Sequence, residues 1–109
     1  GTRPTTTAEE QPMAVRAVVI TLAANQLTLI ADGSLADAQA PASFLVKPDS
    51  ANTDAFYVGG DDMTSANEAT NGYAVVASDP AIAVDLHSGD KLYAIGAGGE
   101  KIHVLKTRS

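Results

Sequence analysis

Cysteine and tryptophan are both missing from this chain of 109 residues, and its aromatic side chains are confined to three Tyr and two Phe. Without cysteine there is no disulfide framework and no thiolate site for zinc. So few aromatic faces leave little material for stacking sugars or bases. Basic residues are also scarce: 7 Lys and Arg stand against 13 Asp and Glu, a formal charge of −6. Binding a phosphate backbone needs clustered cations, so nucleic acid is not an expected partner. Long hydrophobic runs are lacking too. The longest, Ala14 to Ala24, is broken by Arg16 and Thr21 and falls far short of the ~20 residues that span a bilayer. Glu9 and Glu10 precede it, where a signal peptide would carry basic residues. A membrane is therefore not an expected partner either.

What the chain does have is alternation. In Ala81–His87, Ile82, Val84 and Leu86 fall on one face and Asp85 and His87 on the other, the period-two pattern of a strand with one buried side. Lys91–Ala97 and Lys101–Lys106 repeat it, with Leu92, Ile102 and Val104 continuing the apolar series. The connections Ser88-Gly89-Asp90 and Gly98-Gly99-Glu100 are short enough for hairpins, so these three strands read as an antiparallel meander.

Upstream, Met13 opens a strand-like stretch whose β-branched density, Val15, Val18, Val19, Ile20 and Thr21, favours strand over helix. Leu27–Ala31 ends at the turn Asp32-Gly33. Ser34–Ala42 is Ala-rich, a loop or one helical turn before Pro41. Ser43–Lys47 is a strand closed by Pro48-Asp49, and Ala55–Val58 is another, closed by Gly59-Gly60. Asp61–Gly72 is a long polar loop, after which Tyr73–Ala77 resumes as a strand before Asp79-Pro80. About eight short strands spaced near ten residues apart define an all-β antiparallel sandwich or jelly-roll-like domain over residues 13–109. Residues Gly1 to Pro12, with two prolines and a Thr run, read as an extended N-terminal arm. Thr2, Arg3, Pro4, Thr5, Thr6 and Thr7 are the candidate partner-binding residues, expected to be held by a neighbouring subunit.

Residues capable of chemistry are few, and each has a plainer reading. Asp61, Asp62, Asn67 and Glu68 offer oxygens of the kind calcium takes, but their spacing matches no EF-hand loop, and a solvated loop explains them. His87 and His103 lie opposite the buried series and read as exposed surface histidines, although Asp85 and Asp90 stand close to His87 in sequence. Ser88 beside His87 sits in a turn, with no oriented base and no oxyanion hole. Gly96-Ala97-Gly98-Gly99 has no following helix to bind an anion and reads as a turn. Tyr57, Tyr73 and Tyr93 read as half-buried residues at the sheet rim. The expectation is a non-enzymatic protein with no cofactor and no metal.

The segments Phe56-Tyr57-Val58-Gly59-Gly60, Asn71-Gly72-Tyr73, Val84-Asp85-Leu86 and Ser88-Gly89-Asp90-Lys91-Leu92-Tyr93-Ala94-Ile95 together resemble small virion structural proteins of tailed bacteriophages, several of which are head decoration or cement proteins. The resemblance spans roughly Ser43 to Leu105. It implies a β-sandwich seated on the capsid surface of a virion and made in the host cytoplasm. It further implies a homo-oligomer, with a trimer favoured, whose partner is the major capsid protein and which stabilises the head by bridging neighbouring subunits. The resemblance carries no catalytic residues. The long Asp61–Thr70 insertion and the Thr-rich arm depart from the pattern, so a tail, fibre or baseplate module is the neighbouring reading. A carbohydrate-binding β-sandwich is a third, and the absence of Trp weighs against it.

Overall fold

The computed structural model describes residues 15–33, 40–65 and 71–108, over which the regular structure is entirely strand. The elements are β1 (Arg16–Thr21), β2 (Thr28–Asp32), β3 (Ala42–Pro48), β4 (Phe56–Gly59), β5 (Gly72–Val75), β6 (Ile82–Leu86), β7 (Lys91–Gly96) and β8 (Lys101–Arg108). The expected arm, Gly1 to Pro12, lies outside the described residues. So do its candidate partner-binding residues, most of Ser34–Ala42, and Asn67 and Glu68.

The strands form two four-stranded sheets, ordered β1-β8-β3-β6 and β2-β7-β4-β5, with every strand pair antiparallel. This is the jelly-roll order. Its pairs nest: Arg16 lies opposite Lys106, Thr28 opposite Ala94, Ala42 opposite Leu86, and Gly59 opposite Gly72. The chain is thus one long antiparallel ribbon, doubled back at the β4–β5 loop and folded over itself until its two halves face each other.

This order corrects the meander expected for the last three strands. β6 lies in the first sheet, β7 in the second and β8 back in the first, so the short turns after Leu86 and Gly96 carry the chain between sheets. They are tight corners. In the first, Asp90 N–H donates to the His87 carbonyl at 2.9 Å and the Asp90 side chain accepts from His87 N–H at 3.0 Å. In the second, Gly98 and Gly99 adopt φ of 117° and 91°, which glycine reaches without steric cost.

The alternation read in the sequence sets the facing. β3 points Ala42, Phe44, Val46 and Pro48 inward, all buried, and turns Ser43, Leu45 and Lys47 outward. Ile102 and Val104 of β8 and Leu86 of β6 are buried against them, with Ile82, Val84 and Leu92 partly buried at the periphery. Phe56 and Val75, both fully buried, with Ile30, Ala31, Val58 and Ala94, supply the second sheet's contribution. Each large apolar side chain buried in this way contributes roughly 1.5–3 kcal/mol. Two further buried residues, Ile95 and Met63, stand outside this cluster. Ile95 is paired with Tyr57, and the Met63 sulfur lies 3.3 Å from the point where a Cβ on Gly59 would sit.

Candidate binding surface

Exposed apolar side chains gather where the sandwich is open. β1 and β2 are edge strands of opposite sheets, and a groove of about 330 Å³ runs between them, floored by Ile30, Phe44 and Val104 and rimmed by Val18 and Leu29. Register explains Val18. It opposes Val104 and therefore faces inward, yet it remains 48% exposed because no residue of the second sheet covers it. Val19, on the outer face opposite His103, is 54% exposed, and Val15 just before the strand is 66% exposed. Leu27 and Leu29 extend the same surface onto the second sheet.

The opposite side, between edge strands β5 and β6, is also open. A groove there is lined by Tyr73, Asp79, Pro80, Ala81 and Ile82. Its charge differs: Asp79 and Asp85 lie on that side, whereas the β1–β2 groove has one acid, Asp32, against Arg16 and Lys106.

The third feature is a clasp at one end of the sandwich, between the turn after β3 and the start of β8. Asn52 Nδ2 donates to the Lys101 carbonyl and Asn52 Oδ1 accepts from Lys101 N–H, both at 2.9 Å. Asp49 N–H also donates to the Lys101 carbonyl, at 3.1 Å. His103 Nε2 lies 2.9 Å from Asp49 Oδ1, and that hydrogen bond, followed by one from Ala51 N–H, holds the Asp49 carboxyl below its ordinary value. Close by, Glu100 is buried, its Oε1 accepting from Gly98 N–H at 2.9 Å, while its backbone carbonyl accepts from Leu22 N–H. These partners make the clasp a structural fastening of the β3–β4 turn and the β7–β8 corner.

The sequence-derived candidates separate accordingly. His87 is exposed as expected, its Nδ1 standing 3.9 Å from Asp90 Oδ2. His103 is a correction: it is half-buried and bonded to Asp49, because the β3–β4 turn folds back over the end of β8. Ser88 lies exposed in the β6–β7 corner. Asp61 and Asp62 are exposed, and among the described residues no group of three or more His, Cys, Asp or Glu gathers as a metal site. The three tyrosines do not form one patch. Tyr57 and Tyr93 share the outer face of the second sheet, opposite Ile95 and Gly59 respectively. Tyr73, opposite Val58, projects from the β5 edge at 64% exposure. The β1–β2 groove was not singled out in the sequence, and the signal for it is the unprotected apolar run Val18-Val19-Ile20.

Among the described residues no helix is long and apolar enough to cross a membrane. The chain matches no family model and no curated protein. Among solved structures, one of Bacillus endospore appendages, described as a novel family of disulfide-linked pili, aligns over 89% of this chain and 89% of its own, at 17% identity and a TM-score of 0.45. A likeness at that distance leaves the function open.

Proposed function

We propose that this chain is a non-enzymatic decoration protein of a tailed-phage capsid, docking on the assembled head and stabilising it by bridging neighbouring capsid subunits. The observation that carries this reading is the open, largely apolar β1–β2 side, where Arg16 and Lys106 outnumber the single acid Asp32 on an otherwise acidic jelly roll, a surface suited to burial against another protein. The strand-and-turn resemblance over Ser43–Leu105 supports it. Jelly rolls also recur in viral capsid domains, although the fold alone assigns no function. Stabilisation would follow from linkage, since a ligand that binds the assembled shell and not its separated subunits shifts the equilibrium toward the shell. The N-terminal arm, with Thr2 to Thr7, is proposed as an added tether whose deletion weakens docking.

The test compares mature heads with and without the protein, heated in parallel and imaged at saturating occupancy. A raised disassembly temperature, with density on the capsid surface, is expected. Density confined to the tail, or unchanged shell stability, would replace this reading with that of a tail module.

A further inference from the structure

We infer that β1 is a self-association strand, pairing antiparallel with β1 of a second copy so that the sheet β1-β8-β3-β6 continues across a two-fold axis. The inference uses the same β1–β2 side as the capsid reading and competes with it for that surface; sedimentation of the purified chain, with no capsid present, tests it separately.

Unpaired edge strands are templates for further pairing, and proteins blunt them with short length, bulges, proline or charge. Among the described residues, three of the four sheet edges are blunted. β2 has a register shift between Leu29 and Ala31, β5 is only 4 residues long, and β6 follows Pro80 and turns Asp85 outward. β1 is the least blunted: its 6 residues pair with β8 in unbroken register, without proline, and its one charge, Arg16, stands at the first position and leaves Ala17 to Thr21 uncharged.

The occupant follows from charge and from self-complementarity. On a chain of formal charge −6, two copies approach with least repulsion where acids are fewest, and the β1–β2 groove sets Arg16 and Lys106 against one acid, Asp32. Antiparallel pairing centred on Val18 sets Val18 against its own mate and Arg16 against Ile20, so β-branched residues meet and no like charges oppose. Residues directly opposite share a face, so Val18 and Ile20 stay on the inner face and Ala17 and Val19 on the outer. The two-fold also brings the two β1–β2 grooves together, covering the half-exposed inner face of Val18. The interface is isologous, closing at two copies.

Sedimentation across a concentration series is the test, with Val19→Lys as the disrupting variant and Tyr73→Lys, on the far side, as the control. Both sites are exposed in the single chain, and circular dichroism checks that each variant stays folded. The full chain is expected to run at twice its 11.1 kDa mass. Val19→Lys should weaken association by about ten-fold or more while Tyr73→Lys leaves it unchanged. Because the chain has no cysteine, Val18→Cys offers a clean second readout: oxidation should link two copies, and Tyr73→Cys should not. A chain that stays monomeric, one that forms trimers, or a dimer linked through Tyr73→Cys and indifferent to Val19→Lys would each overturn the inference. So would dimerisation that appears only after residues 1–12 are deleted, which would assign the edge to the chain's own N-terminal segment.

Discussion

The imidazole of His103 and the carboxylate of Asp49 meet at 2.9 Å although 54 positions of sequence separate them. The contact ties the turn after β3 to the first part of β8, beside the paired hydrogen bonds of Asn52 with Lys101.

That pairing sets a pH dependence. The Asp49 carboxyl titrates below its ordinary value of 3.8 in the folded chain, chiefly through the His103 hydrogen bond. Its stabilising contribution is therefore complete above that value and is lost as pH falls through the lower, folded-state value. Asp49→Asn should be less stable than the parent at neutral pH, and the gap should close in acid. Urea midpoints of the two proteins from neutral pH down to about pH 2 measure it. A gap that stays constant with pH would show that the pair contributes nothing through ionisation.

The facing of β6 and β8 predicts two very different costs. Ile102→Ala empties a fully buried site and should destabilise by about 2–5 kcal/mol. His87→Ala, at an exposed side chain beyond the end of β6, should stay within about 0.5 kcal/mol. Chemical denaturation reads both, and a His87 cost rivalling that of Ile102 would overturn the facing.

Two glycines should fail for different reasons. A Cβ at Gly33 would lie 2.2 Å from the His87 carbonyl oxygen, so any side chain there must push the β2 end away from the β6–β7 corner. Overpacking of this kind costs about 1–3 kcal/mol. Gly89 has open space around it but a φ of 93°. Gly89→Asn should therefore be milder than Gly89→Ala, since Asn tolerates positive φ better, whereas at Gly33 neither replacement should be tolerated. Thermal melts of the four variants separate steric from conformational cost.

Folding should be slow. β1 pairs with β8 and β2 with β7, so the outer ladders close nearly the whole chain before they gain any contact, and refolding is expected on the millisecond-to-second scale typical of all-β topologies. Stopped-flow refolding from urea measures it, and microsecond folding would contradict the nested order.

Strand positions and facings were legible because they are local. Ile82, Val84 and Leu86 declare their face by period alone, and the turn residues Gly33, Gly89 and Gly99 mark the breaks. Sheet membership was not legible, because a three-residue turn such as Ser88-Gly89-Asp90 serves a hairpin or a corner between sheets equally well. What decides is whether Leu86 finds Ala42, more than forty positions upstream, a choice made by packing. The partner of His103 was hidden for the same reason: Asp49 reads as an ordinary turn residue until the turn closes on β8. The β1–β2 surface was half legible, since Val18 and Val19 are plainly strand formers, but alternation says which face Val18 takes and not whether anything covers it.

The pairing of Arg16 with Lys106 puts the start of the first strand and the end of the last side by side at one end of the sandwich. A load applied between residues 15 and 108 would therefore pull the β1–β8 ladder apart from its open end, breaking its cross-strand hydrogen bonds one after another instead of loading them together in shear. The folded ribbon would peel under low force in that direction, one cross-strand pair at a time.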